Sequence, residues 1–155
     1  MPKHAGPARL IAAGMLALSL AVGGAASAQS APAAATISPQ AKAIAGRPVT
    51  GHLPVVATAY GPSAQDNFPF GATDAFGQPL RPGMIAVDPA VIPLGSTVWV
   101  SGYRSPLLPS GGFLARAMDT GGAIKGNRID IYIDTGPAQV GAFGIQHVQV
   151  TLLGK

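Results

Sequence analysis

The chain has 155 residues, with ten Lys and Arg residues, six acidic residues that are all aspartates, and a formal net charge of +4. It contains no cysteine, which excludes disulfides and thiol chemistry. So small a charge, without a basic run, argues against nucleic acid as a partner. Because glutamate is absent, acid–base chemistry would fall to aspartate or histidine.

The first 28 residues have the pattern of a secretory signal peptide. A positive segment ending at Arg9 precedes the apolar run 10–22, which is too short to span a bilayer comfortably. The Ala-Ser-Ala sequence that ends at Ala28 fits a cleavage site. We therefore expect export to the periplasm, the outer membrane, the wider cell envelope or the medium, without a stable membrane anchor. An uncleaved membrane anchor is the alternative.

Residues 29–53 are rich in Ala, Pro, Ser and Gln and contain few large apolar side chains. Such a segment buries little surface on folding, so its composition predicts a disordered linker. The remaining residues, 54–155, are long enough for one small domain. The processed chain keeps eight Lys and Arg residues against six Asp residues, a mild positive charge that suits an anionic cell wall.

Strand patterns dominate residues 54–155. Short runs of β-branched and apolar residues alternate with Gly- and Pro-rich turns, which is typical of strands. They predict strands over residues 55–60, 84–87, 96–101, 113–118, 129–133 and 147–153. One helical turn is expected over residues 139–143, after Pro137. The pattern predicts an all-β fold, a small six-stranded barrel.

The run 129–134 alternates strictly between isoleucines and polar residues, so the two sets point to opposite faces of a strand. The polar face carries Arg128, Asp130, Tyr132 and Asp134. A Gly-Gly turn upstream begins with a further carboxylate, Asp119. Such a face can line a catalytic groove, but an ordinary solvated strand face has the same pattern. The pattern alone leaves both open.

Several short motifs follow one another through the domain. They are Ala-Thr-Ala-Tyr at 57–60, Ile-Ala-Val-Asp-Pro at 85–89, Val-Ile-Pro-Leu-Gly-Ser at 91–96, Ala-Met-Asp-Thr-Gly-Gly-Ala-Ile-Lys-Gly at 117–126, Arg-Ile-Asp-Ile-Tyr at 128–132 and Phe-Gly at 143–144. In this order they resemble the 3D domain family, named for three aspartates, and the barrel of the membrane-bound lytic transglycosylase A family. The resemblance implies a double-psi β-barrel that acts on peptidoglycan glycan strands and needs no cofactor.

The resemblance makes Asp88, Asp119 and Asp130 the three aspartates, and it implies that Asp130 is the catalytic carboxylate. In that chemistry one carboxyl group protonates the departing glycosidic oxygen. It then takes the proton of the sugar's own 6-hydroxyl, which gives a 1,6-anhydro product. Asp130 would need a pKa raised above its ordinary value of about 4, by burial between isoleucines or by Asp119. Arg128 would oppose that rise.

Asp88 and Asp119 also have structural interpretations. Asp88 precedes Pro89, and Asp before Pro often bonds a backbone amide of a turn. Asp119 could accept the amides of the Gly-Gly turn, or it could hydrogen-bond Asp130. The sequence leaves these interpretations open beside direct roles in catalysis.

Candidate substrate-binding residues flank the aspartates: Thr58, Tyr60, Thr120, Gly121, Gly122 and Lys125. Tyr60 could stack on a sugar or pack in the core. The two glycines could let the backbone approach a ligand, or simply adopt positive φ. Lys125 could contact a carboxylate of the substrate or be a solvated turn residue.

The sequence also offers features of an aspartic protease, of a metal site and of a non-catalytic wall module. Asp-Thr-Gly occurs at 119–121 and 134–136, as in aspartic proteases, but the copies are too close to supply two psi-loops. His52 and His147 lack ligand spacing, so no metal is expected. A non-catalytic wall-binding or wall-loosening module is the strongest alternative. In the transglycosylases a second domain forms the other wall of the substrate groove, and the segment between Tyr60 and Met84 is too short to contain such a domain. A cell-wall partner protein could supply the missing wall.

Overall fold

The computed structural model describes residues 41–155. Within them lie the strands β1 (Ala43–Ile44), β2 (Arg47–Tyr60), β3 (Met84–Val87), β4 (Thr97–Ser101), β5 (Phe113–Asp119), β6 (Arg128–Tyr132) and β7 (Gln146–Leu153), and one helix, α1 (Pro137–Gly141). The expected signal peptide, and the expected linker up to residue 40, lie outside the described residues.

Six of these strands close into a barrel. Around it the order is β2, β6, β3, β5, β4 and β7, and β7 pairs back onto β2. The pairs β2–β6 and β3–β5 are parallel, whereas the other four pairs are antiparallel. β1 forms an antiparallel pair with the start of β2. The all-β, six-stranded double-psi barrel expected from the sequence is confirmed.

Strand β2 is much longer than its sequence pattern indicates. It begins at Arg47 rather than Val55, and its first half pairs with β7 from Val49 opposite Leu153 onward. The prediction of a disordered linker is therefore wrong for residues 43–53. Pairing of this kind bonds backbone amides and carbonyls and needs no large apolar side chain on the new strand. Composition gave no sign of it for that reason.

The inward faces of the barrel strands form the main core. The isoleucines of the alternating run point into it as expected, with Ile129 and Ile131 fully buried and Ile133 nearly so. The other large, fully buried side chains are Ile85, Val87, Ile92, Val98, Val100 and Val150. Burial of these side chains supplies most of the free energy that holds a small domain without disulfides together.

The polar face of β6 is covered at Tyr132 and half-buried at Arg128 and Asp130. Tyr132 is 4% exposed and packs edge to face on Tyr60, with ring centroids 5.4 Å apart. Leu80 and Ile124 belong to the same buried cluster. The interpretation as a solvated strand face is therefore wrong for Tyr132, which this cluster covers, whereas Arg128 and Asp130 are half-buried and Asp134 is exposed.

The loop 61–82 connects β2 to β3 and folds against the end of β5. Its Ala75 amide donates to the carbonyl of Met118 at 3.0 Å. Within the loop the buried Asp74 accepts two backbone amides through Oδ1, at 2.8 and 2.9 Å. These bonds hold the loop beside Asp119, where it can form one wall of a cleft.

Helix α1 begins two residues before the helical turn expected at 139–143, because Pro137 itself starts it. Its Val140 is buried against the barrel. Within residues 41–155, no helix combines the length and apolarity that a membrane crossing requires.

Candidate functional site

An open cleft of about 190 Å³ lies between the loop 61–82, the turn after β5 and strand β6. Three carboxylates line it, those of Asp66, Asp119 and Asp130. Among the described residues, no lysine, arginine or histidine contributes to its lining. The structure thus brings two of the three family aspartates into one cleft.

Strand β2 holds the carboxyl group of Asp130 from the side. The parallel pairing places Thr58 opposite Asp130, and Thr58 Oγ1 donates to Asp130 Oδ1 at 2.8 Å. Burial raises the pKa of Asp130 to about 6, while the Thr58 bond and the Arg128 charge lower it and the charges of Asp66 and Asp119 raise it. The upward shift, its origin in burial and the opposition of Arg128 agree with the sequence prediction.

Tyr60, two residues further along β2, holds Asp119 in the same way. Its hydroxyl donates to Asp119 Oδ2 at 2.9 Å, and the Thr120 amide donates to Oδ1 at 2.8 Å. Burial, and then the charge of Asp119, raise the pKa of Tyr60 far above its ordinary value. The phenol therefore keeps its proton and acts as a donor.

The interpretation of Asp119 as an acceptor for its own turn holds only for the Thr120 amide, and the expected bond to Asp130 is not found among the described residues. In the described part of the chain, its carboxylate bonds neither the amides of Gly121 and Gly122 nor Asp130. Asp119 is the last residue of β5, so its carboxylate lies beside β2 rather than inside the turn that follows. The competing partner, Tyr60, is distant in sequence and becomes a neighbour only in the closed barrel.

Asp88 lies outside the cleft and bonds backbone amides of two turns. Its Oδ1 accepts the Ala90 amide at 3.0 Å, which is the turn bond expected of Asp before Pro. Its Oδ2 accepts the Gly126 amide at 2.8 Å. These bonds, that of Gly126 first, hold the pKa of Asp88 below its ordinary value. The structure does not bring Asp88 to the cleft with the other two aspartates, so direct contact with a substrate there is not supported.

Four of the predicted substrate-binding residues line the cleft: Tyr60, Thr120, Gly121 and Gly122. Thr58 does not line it and acts through Asp130. Lys125 is exposed outside the cleft lining, which agrees with a solvated turn lysine.

The two glycines of the turn have different environments. Neither has positive φ, so the conformational interpretation is wrong for both. A Cβ at Gly121 would lie 2.8 Å from Cγ1 of Ile124, so Gly121 makes room for that buried side chain. A Cβ at Gly122 would meet no atom within 4 Å. Only Gly121 is required by packing.

The loop 61–82 contributes side chains to the cleft that were not among the predicted site residues. Asp66, Asn67, Phe68 and Phe70 all line the cleft from this loop. A signal was present, because Phe-Pro-Phe at 68–70 places two aromatic residues inside a polar, Gly- and Pro-rich segment. Aromatic side chains without an apolar periodicity around them have no evident core to enter.

The second Asp-Thr-Gly copy lies on a different cavity. Asp134 lines a cavity together with Pro82, Leu108 and Phe113, and it does not line the cleft of Asp119. An aspartic protease needs two carboxylates close enough to share a proton. The position of Asp134 therefore adds a structural argument against that function.

Comparison with known proteins gives a family and several partial relatives. Residues 83–154 match the family model of the 3D domain. The cell wall-binding protein YocH of Bacillus subtilis is 43% identical over 105 residues, which cover 65% of this chain and 32% of that protein. The prophage-derived protein YorM of the same organism is 50% identical over 68 residues, or 44% of this chain and 26% of that protein. The chain thus spans about a third or less of the length of these relatives.

Among solved structures, E. coli MltA with bound chitohexaose aligns with a TM-score of 0.46 and 27% identity, over 54% of this chain and 28% of that chain. The lytic transglycosylase LtgG of Burkholderia pseudomallei aligns with a TM-score of 0.43 and 31% identity, over 54% of this chain and 27% of that chain. Asp88, Asp119 and Asp130 all fall inside the region matched by the family model. The three aspartates of this chain thus lie in the segment, residues 83–154, that is similar to the 3D domain family.

Proposed function

We propose that this domain cleaves the glycan strands of peptidoglycan in the cell envelope, as a lytic transglycosylase-like enzyme with Asp130 as both acid and base. The observation that carries the proposal is the largely buried carboxyl group of Asp130, which has a pKa of about 6 and lines an open cleft. The match of residues 83–154 to the family model of the 3D domain supports it. The name of the relative YocH, a cell wall-binding protein, supports a ligand in the cell wall.

The pKa of Asp130 suits a group that must give up a proton and take one back. An aspartate with its ordinary pKa of 3.8 is almost wholly ionised near neutral pH and is a poor donor. With a pKa of about 6, both the protonated and the ionised forms of Asp130 are present around neutrality. One carboxyl group can then serve in both halves of a reaction.

The reaction conserves its atoms without water. Protonated Asp130 gives its proton to the glycosidic oxygen as the bond between that oxygen and C1 of the N-acetylmuramic acid residue breaks. The 6-hydroxyl oxygen of the same sugar then bonds to C1, and its proton returns to Asp130. The products are a 1,6-anhydro end and a free hydroxyl on the departing sugar, and the enzyme regains its starting state.

The residues around Asp130 act as positioning groups in this proposal. Thr58 fixes one carboxyl oxygen by its hydrogen bond, so that the proton resides on the side facing the cleft. Tyr60 orients Asp119, whose carboxylate lines the same cleft as Asp130 and can stabilise positive charge that develops at C1 of a sugar bound there. Asp66 supplies a further carboxylate to the same cleft.

The test is mass spectrometry of purified peptidoglycan after incubation with the processed protein. We expect anhydromuropeptides from the wild type and none from Asp130→Asn, which keeps the size of the side chain but cannot transfer the proton. Asp134→Asn is the matched control, because Asp134 lines another cavity, and it should yield the wild-type products.

Other products would change the assignment. Muropeptides with reducing ends would indicate hydrolysis, which ordinarily requires a second carboxylate, and Asp119 and Asp66 are the residues of the cleft to substitute next. Equal anhydromuropeptide yields from wild type and Asp130→Asn would remove Asp130 from its role.

The second candidate is a non-catalytic module that binds peptidoglycan. It is favoured by the shortness of the loop 61–82, which lines the cleft but cannot form a domain-sized groove wall, and by the name of the relative YocH. Co-sedimentation with the sacculus, without any cleavage products from the wild type, would select this function.

A further inference from the structure

Two phenylalanines of the loop 61–82 are exposed beside the carboxylates of the cleft. Phe68 and Phe70 are each 84% exposed, and both line the cleft that contains Asp119 and Asp130. Burial of large apolar side chains is favourable, so two rings exposed to this extent on the same cleft indicate a binding surface.

The backbone that carries the rings is fixed by hydrogen bonds. The Asn67 side chain donates to the carbonyls of Gly61 and Ser63 at 2.8 and 2.7 Å, and the Phe70 amide donates to the Asn67 carbonyl at 2.9 Å. Asp66 accepts the Gly61 amide at 3.1 Å. These bonds hold the loop in a conformation that presents the rings to solvent instead of folding them into the core.

The surroundings of the rings limit what can cover them. Asp66, Asp119 and Asp130 line the same cleft, and no cationic side chain of the described residues does. An apolar protein partner or a lipid tail laid over the rings would bury those carboxylates without compensation, which is costly. An anionic membrane surface would be repelled by them.

A pyranose ring satisfies both parts of this surface. Its C–H groups form an apolar face that can lie on an aromatic ring, and its hydroxyl groups at the edge can donate hydrogen bonds to carboxylates. We propose that Phe68 and Phe70 form a stacking platform for uncharged N-acetylhexosamine rings, which extends the cleft of Asp130 along the glycan strand. This inference rests on the proposed function for the choice of a glycan as the ligand.

The platform gives the short loop 61–82 a role in binding, although the loop is too short to hold a second domain. The loop cannot form a domain-sized groove wall, but two exposed rings can hold sugars next to the reacting bond. N-acetylglucosamine units carry no carboxylate and are not repelled by Asp66 and Asp119, so the platform should hold these units beside the N-acetylmuramic acid residue that reacts at Asp130. Binding then depends on two aromatic faces rather than on an enclosed groove.

The test measures binding of soluble N-acetylglucosamine hexamer by isothermal titration calorimetry, with Asp130→Asn in every protein so that no ligand is cleaved. We expect Phe68→Ala combined with Phe70→Ala to weaken binding at least about tenfold, and Phe70→Tyr to retain it because the aromatic face is kept. Phe76→Ala is the matched control. Phe76 is on the same loop and 52% exposed, but it does not line the cleft, so its loss should leave affinity unchanged.

Each result separates the platform from the cleavage chemistry. With Asp130 restored, cleavage by wild type and equal cleavage by the double alanine variant would overturn the platform and leave the proposed function standing. Hexamer binding that depends on the two rings, in a wild type that yields no cleavage products, would support the platform and contradict the enzyme. Unchanged hexamer affinity in the double variant, together with loss of its binding to anionic phospholipid vesicles, would assign the rings to a membrane and overturn the inference.

Discussion

Thr58 and Asp130 are separated by 72 positions in sequence and by 2.8 Å in the barrel. The catalytic role that the family resemblance implies for Asp130 requires a raised pKa, and burial in the folded barrel raises it to about 6. The opposing hydrogen bond could not be predicted, because it depends on the parallel register of β2 and β6. Its presence sets the pKa lower than burial alone would.

We predict that Thr58→Val raises the pKa of Asp130 above 6, by up to about one pH unit. The threonine hydroxyl donates to the carboxylate and so favours its charged form, whereas valine has the same shape and no donor. The measurement is a pH titration of the Asp130 carboxyl carbon by NMR. Thr50→Val, an exposed position on the same strand, should leave that titration unchanged. An Asp130 pKa equal to or below that of the wild type would contradict the account of the site.

Strand β2 both positions the site residues and closes the barrel. Its second half pairs with β6 and carries Thr58 and Tyr60 to the two carboxylates. Its first half pairs with β7 and closes the barrel, in a segment whose composition predicts a linker. The pairing is reinforced by a side-chain bond of 3.2 Å between His52 Nδ1 and Thr151 Oγ1.

We predict that a chain beginning at Pro54 is less stable than one beginning at Ala41. The shorter chain lacks β1 and the part of β2 that pairs with residues 150–153 of β7. Each lost hydrogen bond contributes on the order of 1 kcal/mol, so the free energy of unfolding should fall by at least about 3 kcal/mol. Urea unfolding followed by circular dichroism measures the difference. Equal unfolding midpoints would show that residues 41–53 add no stability.

At the scale of the whole molecule, closing the barrel brings Asp130 out of water together with the core. The folded state therefore binds the proton of this group more tightly than the unfolded chain, with a pKa of about 6 against an ordinary 3.8. The resulting stabilisation is complete below pH 3.8 and is lost as the pH rises through 6. Above that range the protein retains a buried, ionised carboxylate at a cost in stability, as is common at functional sites.

We predict that Asp130→Asn increases the free energy of unfolding at about pH 8, by up to about 3 kcal/mol relative to wild type, and that the increase shrinks towards zero at about pH 4. The asparagine cannot ionise and can still accept the Thr58 bond. Urea unfolding of both proteins at the two pH values provides the measurement.

Asp88→Asn is the control for that experiment. The pKa of Asp88 is lowered by the amides that it accepts, so its charged form favours the folded state and its replacement should not stabilise the protein at the higher pH. A gain in stability from Asp130→Asn that is the same at both pH values would contradict an origin in the ionisation of this carboxyl group.

Most of the fold followed from local patterns. Five strands start and end within one or two residues of their expected positions, because turns rich in Gly and Pro mark their limits and apolar alternation marks their inward faces. The candidate site was predicted less completely. Asp119 and Asp130 were identified and lie in one cleft, whereas Asp88 braces a turn outside it and the phenylalanines of the loop were not anticipated.

The sequence alone predicts the strand pattern and the inward isoleucines, and the order of its motifs predicts the resemblance to the 3D domain family that the match over residues 83–154 supports. Each of these depends on neighbours along the chain or on the order of motifs. The tertiary structure alone decided that β2 starts at Arg47, that Tyr60 holds Asp119, and that Phe68 and Phe70 face the cleft. Strand register and loop placement create contacts between distant segments, and local composition does not encode which distant segment is met.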